Sequence, residues 1–128
     1  MLVDSNIIIY AVRPENTFLR SFFENHLPAV SAISRVEVLG YHNLTREVQQ
    51  RLEGLFNVLR ILPVSESVID RAIDLRQQRK MSLGDALIAG TALENRMTLV
   101  TRNKDDFKWI DGLALLNPFQ DPIPQQDS

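Results

Sequence analysis

The sequence of 128 residues contains no cysteine. Disulfide bonds, thiolate nucleophiles and cysteine-ligated zinc are therefore all excluded. No apolar run approaches the roughly 20 residues that a membrane-spanning helix needs. The first residues also lack the basic segment and the small-residue cleavage site of a signal peptide. These absences predict a soluble, cytoplasmic protein with no membrane contact.

The chain also has no excess of positive charge, because it contains 14 Lys and Arg residues and 16 Asp and Glu residues, and its pI is near 5.6. The chain therefore lacks the global basic field of many nucleic-acid-binding proteins, although a local basic rim could still bind nucleic acid. Its length and its hydrophobic content of 45% predict one domain with its own core.

The chain does contain short apolar segments that alternate with amphipathic ones. The predicted strands cover residues 1–4, 28–31, 58–62, 97–101 and 113–117. The predicted helices cover residues 7–12, 15–26, 36–43, the segment capped by Thr45, 66–79 and 83–94. The strands are continuously apolar, which favours a mainly parallel sheet of four to five strands with helices on both faces.

The predicted domain covers residues 1–119. Three prolines in "PFQDPIPQQDS" and the small number of residues to bury there predict a flexible C-terminal tail over 120–128. At the other end, Asn6 is expected to cap the first helix.

Four carboxylates fall at informative positions in this pattern. Asp4 ends the first strand, Glu37 lies in the helix after the second strand, and Asp106 follows the fourth strand. Because the carboxyl ends of parallel strands share one edge of a sheet, these three side chains are expected at the same rim. Asp85 begins a later helix, and strand order alone does not place it there.

Asp4 is the most informative of the four, because its flanks are apolar and burying an unpaired carboxylate costs several kcal/mol. The other three have structural alternatives. Ser34–Glu37 and Ser82–Asp85 match the capping-box pattern, and Asp106 could lie in an ordinary turn. Taken together, an all-oxygen cluster suits Mg²⁺ or Mn²⁺, and such ions support hydrolysis of phosphodiesters.

Four segments carry a resemblance to a known family. They are "LVDSNIIIYA" near the start, the "SxxE" of Ser34–Glu37, "LGDALIA" at 83–89 and "LVTRNKDDF" at 99–107. In this order, the sequence resembles the PIN-domain ribonucleases and, more narrowly, the VapC-type toxins of toxin–antitoxin pairs. The resemblance implies a three-layer α/β/α PIN fold. It also implies that Asp85 joins the other three acids in one pocket.

The resemblance further implies metal-ligand roles. Asp4 and Asp85 correspond to the principal ligands of one or two Mg²⁺ or Mn²⁺ ions, and Glu37 to a ligand or a water-orienting carboxylate. At the fourth position, some relatives carry an acid where this chain has Asn103, and others where it has Asp106. We favour Asp106, and the neutral Asn103 leaves the number of metal ions open.

Polar residues beside the acids are expected to support them. These supporting residues are Ser5, Asn6, Thr101 and Asn103. Basic residues near the acids are expected to contact RNA phosphates, with ordinary solvated charges as the alternative. These basic residues are Arg79, Lys80, Arg102 and Lys104.

The expected function is a metal-dependent endoribonuclease, the toxin of a type II pair. The resemblance implies a homodimer that a cognate antitoxin neutralises. The alternative is a catalytically weak PIN fold that binds RNA or protein, and Asn103 is the residue that supports it.

Overall fold

A five-stranded sheet forms the centre of the computed structural model, which describes residues 1–124. The strands are β1 (Leu2–Val3), β2 (Ala29–Ser31), β3 (Arg60–Leu62), β4 (Leu99–Val100) and β5 (Leu115–Leu116). Their order is β3-β2-β1-β4-β5, and every neighbouring pair is parallel. The predicted parallel sheet is therefore confirmed, with five strands of only two or three residues each.

Helices cover both faces of this sheet. They are α1 (Ser5–Ala11), α2 (Thr17–His26), α3 (Ala32–Leu39), α4 (Arg46–Val58), α5 (Glu66–Gln78) and α6 (Leu83–Glu94), and a 3₁₀ turn spans Lys104–Asp106. The arrangement is the three-layer α/β/α fold that the sequence predicts. Within residues 1–124, no helix is long and apolar enough to cross a membrane.

The core divides into two layers because successive strand residues point to opposite faces of a sheet. Val3 packs with Ile7 and Leu52 on the side of α1, α2 and α4. Leu2 packs with Leu75 and Ile88 on the side of α5 and α6. Each short strand thus supplies side chains to both layers, which explains why the strands are apolar without alternation.

The first helix begins two residues earlier than predicted, at Ser5 instead of residue 7. Asp4 is extended (φ −68°, ψ 154°) and occupies the N-cap position, whereas Asn6 lies exposed inside α1. The prediction that Asn6 caps this helix is therefore wrong. The helix starts directly after β1 because Ile7 and Ile8 must both turn into the core, where each is fully buried.

The third helix also begins earlier than predicted, at Ala32 instead of residue 36. Its cap is Ser31, whose hydroxyl accepts a hydrogen bond from the Ile33 backbone N–H at 3.3 Å. Ser34 is buried inside the helix, so the capping-box interpretation of Ser34–Glu37 is wrong. The corresponding interpretation of Ser82 is confirmed, because its hydroxyl accepts from the Asp85 backbone N–H at 3.1 Å.

Packed contacts at the C-terminal end continue past residue 119. The carboxylate of Asp121 accepts hydrogen bonds from Lys104 Nζ and from the Asn117 backbone N–H, both at 2.8 Å. Phe119 lies edge-on to Tyr10, with 5.4 Å between ring centroids. The first residues of the predicted tail are therefore held by the fold, and residues 125–128 lie outside the described residues.

Candidate metal centre

The fold brings the four predicted acids to the carboxyl edge of the sheet. Asp4 directly follows β1, and Glu37 lies on α3, the helix that follows β2. Asp106 ends the 3₁₀ turn after β4, and Asp85 lies in the first turn of α6. The negative charges of Asp85 and Glu37 both act on Asp4, and those of Asp106 and Glu37 act on Asp85. The four side chains thus form one electrostatic cluster.

Asp4 is the buried member of this cluster, with 4% of its surface exposed. Burial raises the pKa of Asp4 to about 6, although a hydrogen bond from Thr101 opposes the shift, and the charge of Asp85 adds to it. Thr101 Oγ1 donates to Asp4 Oδ2 at 2.9 Å and accepts from the Asn103 backbone N–H at 3.1 Å. The carboxylate is therefore held in one orientation, at an electrostatic cost that a bound cation would reduce.

Glu37 is held by a serine pair at the base of the site. Ser5 Oγ donates to Glu37 Oε1 at 2.8 Å and also lies 2.8 Å from Ser34 Oγ. Gly84 faces the same carboxylate, and a Cβ added there would lie 2.9 Å from Glu37 Cδ. The missing side chain at this position therefore allows the first turn of α6 to approach α3.

The backbone of Asp85 takes part in the N-terminal cap of α6, and its carboxylate lies at the acidic rim. Burial raises the pKa of Asp85, a hydrogen bond with Ser82 opposes the shift, and the charges of Asp106 and Glu37 raise it further. Capping at Ser82 and a ligand role for Asp85 are compatible, because the cap uses the Asp85 backbone N–H.

The donor set fits a hard divalent cation, because all four side chains offer only carboxylate oxygens. Within residues 1–124, no three Asp, Glu or His side chains already converge as a complete ligand set. Glu37 and Asp106 are both exposed, so rotation of their side chains could complete a set around the fixed Asp4. The chemistry of the residues fits Mg²⁺ or Mn²⁺ on this basis.

The loop after β4 contains both candidates for the fourth acidic position. Asp106 reaches the cluster electrostatically, since its charge raises the pKa of Asp85. Asn103 is exposed, and its backbone N–H, not its side chain, bonds to Thr101. This arrangement favours Asp106 as the fourth acid. Asn6 is exposed as well, and within the described residues its side chain makes no hydrogen bond to the acids.

Two of the predicted phosphate-contacting residues lie in the linker between α5 and α6. The guanidinium of Arg79 stacks over the Trp109 ring at 5.2 Å, and Trp109 Nε1 donates to the Asp106 carbonyl at 2.9 Å. Arg79 therefore lies next to the acidic loop. Lys80 is exposed and forms no ion pair with another described residue.

The other two predicted phosphate-contacting residues are engaged in the fold. The guanidinium of Arg102 lies over the rings of Tyr10, at 5.0 Å, and Phe119, at 4.2 Å. Lys104 pairs with Asp121 at 2.8 Å, so its charge is already balanced. Arg79 and Lys80 are therefore better placed than Lys104 to offer positive charge to a phosphate.

Sequence reasoning missed the supporting roles of three residues near the site. Ser34 resembled a helix cap, although Ser31 three residues earlier offered the same chemistry directly after a strand. Gly84 gave no signal, because its role depends on the approach of α3 and α6. Asn117 is buried and donates from Nδ2 to the Arg102 carbonyl at 3.3 Å, and a polar residue at the end of the fifth predicted strand was its only signal.

Residues 1–113 match the family model described as PIN domain. The chain belongs to the PIN domain family. Within that family, the predicted resemblance to VapC-type toxins is confirmed by similarity to solved toxin–antitoxin complexes. A comparison with curated proteins gives no significant match.

Three of these structures cover nearly the whole chain. A chain of the toxin–antitoxin complex from Klebsiella pneumoniae is 32% identical, with a TM-score of 0.71, and the match covers 91% of this chain and 96% of that one. A chain of VapBC2 from Rickettsia felis, solved bound to a DNA fragment from its promoter, is 25% identical with a TM-score of 0.80 and the same two coverages. A chain of FitAcB from Neisseria gonorrhoeae is 26% identical, with a TM-score of 0.76 and coverages of 93% and 98%.

Proposed function

We propose that this chain is a divalent-metal-dependent endoribonuclease that hydrolyses RNA phosphodiester bonds and serves as the toxin of a type II toxin–antitoxin pair. The observation that carries the proposal is the buried carboxylate of Asp4 at a rim shared with three other acids. Membership of the PIN domain family supports nuclease chemistry at that rim.

In this proposal, Asp4 and Asp85 are the principal ligands of one or two Mg²⁺ or Mn²⁺ ions, and Glu37 and Asp106 complete the set. The bound ion supplies Lewis-acid assistance to the attack of water on the scissile phosphate. Thr101 fixes the orientation of Asp4 through its hydrogen bond, which gives the site one rigid ligand before any ion arrives.

Two further side chains have roles in the proposal. Ser5 holds Glu37 near the ion and orients its carboxylate. Arg79, beside the acidic loop, offers its guanidinium to an RNA phosphate and so positions the strand.

The proposed protein partner is a cognate antitoxin that blocks the acidic rim. The similar solved structures from Klebsiella pneumoniae and Rickettsia felis are, by their descriptions, a toxin–antitoxin complex and VapBC2. Nearly complete coverage of both matched chains supports the same kind of partner here.

The decisive variant for the proposal is Asp85→Asn, which keeps the size of the side chain and the Ser82 cap. Removing one ligand charge is expected to lower the RNA cleavage rate by at least about 100-fold, because a preorganised electrostatic interaction is lost. Asp105→Asn is the matched control, because Asp105 is exposed beside Asp106 in the 3₁₀ turn and pairs with Lys108 at 3.1 Å. Cleavage of a synthetic RNA is measured in Mg²⁺ or Mn²⁺ and again in EDTA, where it should cease. If Asp85→Asn cleaved RNA at the wild-type rate, Asp85 would have only a structural role in the helix cap.

The second candidate function is a catalytically weak PIN fold that binds RNA or protein. The neutral Asn103 favours it, as does the incomplete convergence of the acids within residues 1–124. RNA binding without cleavage in either Mg²⁺ or Mn²⁺ would select this function over the nuclease.

A further inference from the structure

After β5 the chain forms a turn that is bonded to itself. We call residues 117–121 the C-terminal turn. The buried Asn117 side chain accepts a hydrogen bond from the Phe119 backbone N–H at 2.9 Å. The backbone carbonyl of Asn117 accepts from the Asp121 N–H at 2.8 Å, and the Asp121 carboxylate accepts from the Asn117 N–H at 2.8 Å. These three hydrogen bonds fix the shape of the turn.

Aromatic contacts attach the C-terminal turn to the first two helices. The Phe119 ring lies edge-on to Tyr10 of α1, at 5.4 Å between centroids, and to Phe18 of α2, at 5.0 Å. Edge-to-face pairs of this kind add stability beyond the burial of their area. Phe119 thus attaches the turn to the body of the protein, and the contacts that the turn makes with the loop after β4 are additional.

The C-terminal turn holds the loop after β4, which carries Asp106. Asn117 Nδ2 donates to the Arg102 carbonyl at 3.3 Å. Two residues further along the loop, Lys104 Nζ donates to Asp121 Oδ2 at 2.8 Å. The loop is therefore held at two points, once by its backbone and once by a charged side chain.

Lys104 is also the first residue of the 3₁₀ turn that ends at Asp106. The Asp106 backbone N–H donates to the Asn103 carbonyl at 3.1 Å, and the Phe107 N–H donates to the Lys104 carbonyl at 3.0 Å. Phe107 is 1% exposed and anchors the far end of the loop in the core. The position of Asp106 thus depends on the core at one end and on the C-terminal turn at the other.

We propose that Asn117 and Asp121 are positioning residues of the metal centre. By holding the loop after β4 at two points, they keep Asp106 where it can reach the ion. This role rests on the proposed function, because it takes Asp106 as a ligand. A loop that is ordered before the ion binds loses less conformational entropy on binding, so the affinity for the ion is higher.

The first test measures the order of the loop without metal. Asp121→Ala removes the acceptor of Lys104, so the backbone amides of residues 103–107 should exchange with solvent at least about 10-fold faster in EDTA, because the loop opens locally. Asp121→Asn keeps an oxygen at the same place and should restore most of the protection. Glu94→Ala is the matched control, since it removes an ion pair between α5 and α6, to Arg71 at 2.6 Å. Amide hydrogen exchange by NMR compares the four proteins.

The second test measures Mn²⁺ binding by calorimetry without RNA. Asp121→Ala should raise the dissociation constant of Mn²⁺ about 10-fold, the smaller end of the range for residues that orient metal ligands. Asp121→Asn makes the same change of charge but keeps the acceptor, so it should bind Mn²⁺ nearly as tightly as the wild type. Glu94→Ala should bind it as the wild type does.

Lys104→Met breaks the same ion pair from the side of the loop and separates positioning from simple electrostatics. Loss of positioning predicts weaker Mn²⁺ binding, whereas removal of a positive charge near the acids would by itself strengthen it. Far-UV circular dichroism verifies that each variant is folded, and Lys104→Met replaces Asp121→Ala in both tests if the latter does not fold. Tighter Mn²⁺ binding by Lys104→Met would overturn the proposal.

A double variant shows whether the effect depends on Asp106. When Asp106→Ala is already present, adding Asp121→Ala should change the Mn²⁺ dissociation constant by less than about 2-fold, because the loop no longer carries a ligand. An equal effect of Asp121→Ala with and without Asp106 would mean that the C-terminal turn supports the fold in general, and would overturn the proposal.

Failure of the positioning role is distinguishable from failure of the proposed function. If the wild type bound no Mn²⁺, or if Asp106→Ala bound it as tightly as the wild type, the metal centre with Asp106 as a ligand would be contradicted and the positioning role with it. If Asp106→Ala weakened Mn²⁺ binding and Asp121→Ala did not, only the positioning role would be overturned. Wild-type amide exchange of the loop in Asp121→Ala would overturn it as well.

Discussion

At the scale of single residues, Asp4 is the most constrained acid of the candidate metal centre. It directly follows a buried strand, occupies the N-cap position of α1 and accepts a hydrogen bond from Thr101 at its carboxylate. From the sequence, its apolar flanks predict a buried acid with a function, and the structure confirms the burial. Thr101 was expected to support the acids, but its hydrogen bond to Asp4 in particular could not be predicted, because the two residues are distant in sequence and meet only where β1 pairs with β4.

The raised pKa of Asp4 has a consequence for stability without metal. Its pKa is about 6 in the folded protein and 3.8 in the reference state, so the folded protein binds a proton more tightly over that pH range. The contribution of Asp4 to stability is therefore present at low pH and is lost as the pH rises through about 6. In EDTA, the free energy of unfolding should fall by about 1–2 kcal/mol between pH 5 and pH 7.5 through Asp4 alone.

Urea unfolding of the wild type and of Asp4→Asn at several pH values measures this contribution as the difference between the two proteins. Asn keeps the hydrogen bond from Thr101 and cannot ionise, so the variant should lack the decline and be at least as stable above pH 7. Parallel pH profiles for the two proteins would mean that Asp4 ionises normally.

At the scale of elements, α3 and α6 determine where the acids meet. The sequence predicted that both helices exist, and it predicted the Ser82 cap of α6. It placed the start of α3 four residues too late, because Ser34 and Glu37 imitate a capping box. Ser31 is both the last residue of β2 and the N-cap of α3. Sequence patterns normally indicate a strand end and a helix cap at two separate residues, so this double role was missed.

The contact between these helices gives a prediction for Gly84→Ala. The new Cβ would displace the Glu37 carboxylate, the movable end of a flexible side chain, so the fold should be unchanged. The melting temperature should remain the same or rise, because alanine favours helix more than glycine does. RNA cleavage should fall by about 10- to 100-fold, the order expected when a catalytic group is misplaced by about 1 Å.

Gly54→Ala on α4 is the control for this substitution, because an added Cβ there meets nothing within 4 Å. It should keep the wild-type cleavage rate with a similar gain in stability. If Gly84→Ala also cleaved at the wild-type rate, the position of Glu37 would not matter for the reaction.

At the scale of the whole molecule, the order of the strands explains what the sequence could and could not predict. Asp4, Glu37 and Asp106 follow parallel strands, so a parallel sheet alone places them at one rim. Asp85 reaches that rim because of the connection between β3 and β4. β3 lies at one edge of the sheet, and the chain then crosses over β2 and β1 to form β4 on the other side of β1. Only family resemblance could anticipate that crossover, which periodicity and composition do not encode.

The distribution of charge around the rim predicts how RNA binding depends on salt. Arg79→Gln should weaken RNA affinity uniformly across sequences and reduce the slope of log affinity against log salt by about 1, because one phosphate contact is lost. Lys104→Gln should change the slope less, because Asp121 already neutralises Lys104. Affinity measurements at several salt concentrations, in EDTA to prevent cleavage, compare the two. An equal effect of both variants would show that the Lys104 ion pair opens in the complex.

The central claim of this account is that the four acids hold a divalent ion, and thermal unfolding with and without metal tests it most directly. Excess Mg²⁺ or Mn²⁺ at about 100 times its dissociation constant should raise the melting temperature of the wild type by roughly 5–10 °C, because the ion binds only the folded state. Asp4→Asn should gain much less from metal, and in EDTA it should melt at or above the wild-type temperature because one of the mutually repelling charges is gone. A marked destabilisation of Asp4→Asn in EDTA, together with no response of the wild type to either metal, would contradict the account.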